Sequence, residues 1–164
     1  MQKTVCADVF KHEMTEKYFN TVYRLALNQM KNKELAEDVT QDVFLKYINI
    51  DKDFESEEHV KAWLIRVTVN TCKNIFNAAW FKKRAPLEED IAYEEKDDMS
   101  DVYSAVMELP KKYKAVIHLF YYEDMSIASI ASCLNEKEST IKSQLHRARE
   151  ILKKTLKGGC DLEF

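Results

Sequence analysis

Between Ser139 and Arg149 the chain gathers side chains able to hydrogen-bond and neutralise a polyanion: Ser139, Thr140, Lys142, Ser143, His146, Arg147 and Arg149. Hydroxyls and a neutral imidazole can both donate and accept, whereas ammonium and guanidinium groups only donate. An Arg or Lys can bond the edge of a guanine, and any of these groups can hold a phosphate oxygen. The same stretch repeats Ile141, Leu145, Ala148, Leu152 and Leu156 at helical spacing, so the polar set lies opposite an apolar stripe. The chemistry is that of a helix lying in a DNA groove.

The residues before it supply the turn such a helix needs. Pro110 stands where a helix would begin, with Ala115, Val116, Leu119 and Phe120 as its buried side. Ser126 can cap a short helix carrying Ile127, Ile130, Ala131 and Leu134 on one face. Asn135 follows, and Asn tolerates the left-handed backbone of a sharp turn. From Leu109 to Leu156 this is a helix-turn-helix pattern. Lys137 stands just before the last helix and cannot accept its amide bonds, so the start of that helix is expected to be less well fixed, by about 1 kcal/mol.

A second set lies upstream. Trp63 sits within Ala62–Val67, followed by Arg66, Asn70 and Asn74 and then by Lys82, Lys83 and Arg84. Aromatics, amides and cations interleaved on one helix can stack on unpaired bases and hold their backbone. Trp63 equally fits a core position beside Val60, Leu64 and Val67, and both readings stand. A third set, Asp38, Gln41 and Asp42, could dock a basic partner or simply form a solvated helix face.

These residues need elements to hold them. Met14, Tyr18, Val22, Leu25 and Ala26 recur at helical spacing, with Phe19, Tyr23, Leu27 and Met30 widening the face. Leu35, Ala36, Val39, Val43, Phe44 and Tyr47 mark a second helix. Ile50 to Glu55 breaks the pattern, and Ser56 with Glu57 and Glu58 makes a good start for a third helix running to Arg84. From Glu88 to Asp101 the chain carries eight acids against Lys96 alone, a net charge of −7. With so few apolar residues to bury, that run reads as a linker. From Lys137 to Lys157 the balance is +5, so the overall −3 conceals opposite ends. The expected organisation is all-α: a helical domain over 1–84, an acidic linker over 85–101, and a second helical domain over 102–164 that stops near Gly158-Gly159. Only two Gly and two Pro among 164 residues leave little room for strand turns.

Other classes find little support. Cys6, Cys72, Cys133 and Cys160 are far apart and form no Cys-x-x-Cys pair, as expected of reduced thiols without a metal. No glycine loop for phosphate and no nucleophile–base signature is present, so neither an enzyme, a cofactor nor a small-molecule substrate is expected. The N-terminal segment mixes charges and lacks the apolar run of a signal peptide, and no stretch is long and apolar enough to span a membrane. A cytoplasmic protein is expected.

Taken together, the segments resemble the extracytoplasmic-function (ECF, group IV) sigma factors of bacterial RNA polymerase, from about Thr15 to Leu156. The resemblance rests on Tyr23–Leu27, on Ala36–Lys46 with its Ala-Glu-Asp-x-x-Gln-Asp-x-Phe-Leu-Lys pattern, and on His59–Val67. In the second block it rests on Leu-Pro-x-x-Tyr-x-x-Val from Leu109, Ser-Ile-x-x-Ile-Ala from Ser126, and Ser139–Arg149. It implies a sigma region 2 bundle and a sigma region 4 helix-turn-helix. Asp38, Gln41 and Asp42 would dock on core RNA polymerase. Lys52 and Phe54, in the loop that receives a flipped base, would serve the −10 element with Trp63, Arg66, Asn70 and Asn74, while Lys82, Lys83 and Arg84 would hold phosphates. Thr140, Lys142, Ser143, His146, Arg147 and Arg149 would read the −35 element.

The resemblance further implies an anti-sigma factor, often membrane-anchored, able to hold the protein at the membrane face. It also implies that the acidic linker threads channels of the polymerase, and no C-terminal sensing domain is expected after Leu156. Family members often have Gly, an apolar residue and Ser where this chain has Asn135, Glu136 and Lys137. Contacts of Ser139 and Thr140 are therefore less secure than those of Lys142 and Arg147. A free-standing helix-turn-helix regulator remains the alternative, although it leaves the N-terminal block without a role.

Overall fold

The computed structural model describes residues 2–83 and 101–157, without the side chains of 2–4 and 80–83. Among these residues there are seven α-helices, one π-helical turn and no strand. The chain divides into two compact units, Met1–Glu89 and Asp90–Phe164. Arg84, the acidic linker up to Ser100, Cys160 and the Gly158-Gly159 stop lie outside the described residues, as do the side chains of Lys82 and Lys83.

The first unit is a bundle of three helices, α1 (Gln2–Met30), α2 (Lys33–Asn49) and α3 (Glu57–Lys83). Helix α1 buries Met14, Tyr18, Val22, Leu25, Ala26, Leu27 and Met30. It begins well before Thr15, although Val5 and Val9 there remain exposed. Phe19, expected to widen the buried face, is 46% exposed. It lies beside the stripe and stacks its ring on Phe44 at 5.8 Å.

Helix α1 ends at Lys31, whose φ of 53° is left-handed and whose N–H donates to Leu27 O at 2.9 Å. That conformation costs a non-glycine residue about 1–2 kcal/mol, partly offset by satisfying a terminal carbonyl. Asn32 then caps α2, its Oδ1 accepting from Leu35 N at 3.1 Å. Helix α2 buries Ala36, Val39, Thr40, Val43, Phe44 and Tyr47 against the other two helices. Ser56 caps α3 as expected, its Oγ accepting from His59 N at 3.2 Å. Val60, Leu64, Ile65, Val69 and Cys72 complete the core.

The second unit contains α4 (Asp101–Met107), α5 (Lys111–Ile117), α6 (Ile127–Leu134) and α7 (Glu138–Thr155). Pro110 precedes α5, which buries Tyr113, Ala115, Val116 and Ile117. The helix does not simply stop: His118–Tyr122 forms a π-helical turn capped by Glu123, and Asp124 follows with a left-handed φ of 51°. Leu119 is buried there, but Phe120, expected on the buried side, is only half-buried.

The next two helices follow their local chemistry. Ser126 caps α6, accepting from Ser129 N at 3.1 Å. Asn135 takes the left-handed conformation at φ 54°, ψ 46°, and Glu136 N donates back to Ala131 O at 2.9 Å. The three residues Asn135–Lys137 thus turn the chain from α6 into α7. Lys137 has extended backbone and supplies no side-chain cap. Ile141, Leu145, Ala148 and Leu152 seat α7 on the rest of the unit.

Candidate nucleic-acid interface

With its apolar stripe buried, α7 turns Ser139, Lys142, Ser143, His146 and Arg147 outward, while Thr140 is half-buried. His146 lies 3.3 Å from the Glu150 carboxylate one turn later. Lys142 and Arg147 are therefore exposed cations on a helix entered through a three-residue turn, the arrangement needed to carry donors into a groove.

Arg149 differs from its neighbours. It is half-buried, its Nε donates to the Tyr121 hydroxyl at 2.8 Å, and its guanidinium lies 5.8 Å from the Phe120 ring and 5.6 Å from the Tyr121 ring. These partners come from the π-helical turn. Pattern reading found none of them, because the π turn decides where residues 118–122 point.

The first unit holds two further sets. The loop between α2 and α3 is built around Phe54, whose ring centroid lies 5.7 Å from Tyr47, 5.8 Å from Trp63 and 5.3 Å from His59. Lys52 Nζ sits 5.6 Å above the same ring, within reach of a cation–π attraction. Trp63 is half-buried and packs against the core, with Tyr47 5.9 Å away. The structure gives it both a core contact and an accessible part. Tyr47 is fully buried, and its hydroxyl has no hydrogen-bond partner among the described residues. Burial raises its pKa above the ordinary phenol value.

Both ends of this loop are held by α1, through residues that the sequence reading did not single out for it. Lys11 Nζ donates to Ile48 O at 3.1 Å and to Ile50 O at 2.9 Å. At the other end the Tyr18 hydroxyl donates to Glu57 Oε1 at 2.7 Å, and Lys17 pairs with the same carboxylate. Lys17 first, and Tyr18 second, hold the Glu57 carboxyl below its ordinary value. Burial, then the Glu57 hydrogen bond, push the Tyr18 phenol well up.

On α2, Asp38 and Gln41 are exposed, and Asp42 is half-buried and paired with Lys46 at 2.9 Å. Asp38, Asp42 and Lys46 line a groove of about 390 Å³ whose other wall is Thr71, Asn74, Ile75 and Ala78 of α3. Asn74 is thus brought to the acidic residues of α2. Arg66 and Asn70 are exposed earlier on the same helix. Among the described residues no cluster of His, Cys, Asp and Glu could hold a metal ion.

Known proteins match both units. The family model described as Sigma-70 region 2 matches residues 14–82, and that described as Sigma-70, region 4 matches residues 99–152. The RNA polymerase sigma factor SigV of Bacillus subtilis is 30% identical, over 80% of this chain and 81% of its own. The ECF RNA polymerase sigma factor SigM of the same organism is 30% identical, over 86% of this chain and 91% of its own. Among solved structures, the sigma factor RpoE of Bartonella quintana, in complex with the anti-sigma factor NepR, shares the fold. Its TM-score is 0.74 at 23% identity, over 93% of this chain and 99% of that one.

Proposed function

Because the chain belongs to the extracytoplasmic-function (ECF) family of RNA polymerase sigma factors, we propose that it docks on core RNA polymerase through α2 and reads promoter DNA through α3 and α7. It is an alternative sigma factor that directs transcription initiation. Sigma factors are initiation factors rather than enzymes, so the chemistry at issue is recognition.

The observation that carries the residue assignment is the exposed set on α7: Lys142, Ser143, His146 and Arg147 project from a helix entered by a three-residue turn. Those residues, with Thr140 and Arg149, form the −35 contact. The −10 contact consists of Lys52, Phe54, Trp63, Arg66, Asn70 and Asn74, with Lys82, Lys83 and Arg84 on phosphates. Residues 1–84 and 102–164 act as the two recognition domains, and the acidic stretch 85–101 tethers them. A bipartite promoter contact gives both units a task, which a free-standing helix-turn-helix regulator does not.

Asp38, Gln41 and Asp42 form the polymerase-docking face. Asp38→Ala and Gln41→Ala should each weaken binding to core enzyme by about fivefold, the size of one net hydrogen bond, with unchanged helical circular dichroism. Unchanged affinity in a titration against core polymerase would remove the assignment.

An anti-sigma factor is the second partner. RpoE of Bartonella quintana was solved with one bound, and a partner covering α2 or α7 would keep this protein from polymerase and promoter. Among the described residues no helix is long and apolar enough to cross a membrane, so confinement to a membrane face would depend on an anchored partner.

A further inference from the structure

Three features of the second unit converge on Arg149. Its guanidinium lies beside the edge-to-face pair of Phe120 and Tyr121, 5.8 Å and 5.6 Å from the two ring centres. Its Nε is engaged by the Tyr121 hydroxyl, 28 residues earlier, at 2.8 Å. Tyr121 and Tyr122 are 40% and 60% exposed, so the π-helical turn presents two phenols to solvent, with Tyr121 beside α7. π-helical turns are rare and frequently sit at functional sites.

The arrangement separates the two jobs of the guanidinium. A guanidinium carries five N–H donors in a rigid fork. Tyr121 takes the one on Nε, which leaves the four hydrogens on the Nη atoms at the far end of a side chain whose rotamer is already chosen. An Arg fixed in this way loses less conformational freedom when it meets an anion. The direction also matters. Lys142, His146, Arg149 and Lys153 follow one another at spacings of four, three and four residues, so they form one line along α7. This line flanks the outward face that carries Ser143 and Arg147. A cation at the flank of a helix lying in a groove meets the sugar–phosphate wall, whereas one at the centre meets base edges.

We propose that Tyr121 is a positioning residue that holds Arg149 as a phosphate clamp on one wall of the −35 groove. Arg149 therefore contributes affinity and register, and the base readout is left to Ser143 and Arg147 at the centre of the face. The inference rests on the reading of α7 as the −35 helix.

The test uses holoenzyme reconstituted from core polymerase and the full chain, on a promoter that it opens. Individual −35 phosphates are neutralised by methylphosphonate substitution, and binding is measured across a range of salt concentrations. Arg149→Ala should reduce the salt slope by about one and abolish the penalty for neutralising one particular phosphate. Tyr121→Phe keeps the ring and removes only the hydroxyl. It should weaken binding by about fivefold, the size of one net hydrogen bond, and lessen the penalty at that same phosphate. The double variant Tyr121→Phe/Arg149→Ala should bind no worse than Arg149→Ala alone, and Arg149→Lys, which keeps charge but lacks Nε, should resemble Tyr121→Phe.

Thermal melts of each variant show whether the fold survives. If Arg149→Ala and Tyr121→Phe lower the melting temperature but leave the salt slope and the phosphate pattern intact, the pair is only an internal staple and the inference is overturned. Additive losses would overturn the role of Tyr121. If no −35 phosphate matters to the unsubstituted holoenzyme, while Lys142→Ala and Arg147→Ala are also silent, the reading of α7 falls and takes this inference with it.

Discussion

The hydroxyl of Tyr18 donates to Oε1 of Glu57 at 2.7 Å, joining the middle of α1 to the first turn of α3 across 39 residues of sequence. Lys17 pairs with the same carboxylate, and Lys11 holds the carbonyls of Ile48 and Ile50 at the other side of the loop. Helix α1 therefore holds both ends of the loop, whereas Phe54 anchors its middle among Tyr47, His59 and Trp63. The candidate −10 reader owes its shape to residues that need touch no DNA themselves.

This anchor makes stability depend on pH. Lys17 and then Tyr18 hold the folded-state pKa of Glu57 below its ordinary value near 4.5. A depressed carboxyl stabilises the fold above its unfolded pKa, and that contribution is lost as pH falls through the folded value. Glu57→Gln should therefore melt below the parent at neutral pH, and the gap should close as pH drops below about 4.5. A gap that stays constant or widens in acid would show that the carboxylate charge is not what holds the anchor.

Tyr47 yields a prediction of opposite sign. Its hydroxyl is buried without a hydrogen-bond partner among the described residues, and such a group carries a desolvation cost of about 1–3 kcal/mol. Tyr47→Phe keeps the ring contacts with Phe54 and Trp63 and removes that cost. Urea unfolding should show the variant equal to the parent or more stable, by up to about 1 kcal/mol. Destabilisation by that amount would mean that the hydroxyl has a partner.

Lys137 occupies the cap position of α7 with extended backbone and no side-chain cap. A serine fits that backbone and can accept an amide from the first turn. Lys137→Ser should stabilise the second unit by about 1 kcal/mol and slow amide exchange at Ser139 and Thr140. Unchanged exchange would show that the first turn is held by other means.

Much of the fold was legible because its signals are local. Ser56, Ser126 and Asn135 perform the capping and turning that their side chains allow, and the buried stripes of α2 and α7 follow their spacing, whereas in α6 Ile127 and Leu134 are only half-buried and Cys133 is buried beside Ile130 and Ala131. What escaped depends on distant partners. The Lys11 and Tyr18 anchors reach across 37 to 39 residues, and no periodicity reports that. The π-helical turn at His118–Tyr122 has no residue signature, yet it decides that Phe120 is half-buried and that Tyr121 meets Arg149. Phe19 matched the apolar period but lies at the edge of the face, where a stacked Phe44 covers only part of it. For α1 the charges of Lys3, Asp8, Lys11 and His12 hid the early turns.

The central claim is that this chain confers promoter choice on core RNA polymerase, and run-off transcription tests it most directly. Core enzyme with and without the protein is run on a library of genomic promoter fragments. The account predicts a subset of fragments transcribed only when the protein is present, sharing two sequence elements separated by a fixed spacing. Transcripts that are identical in its presence and absence, for every fragment, would contradict it.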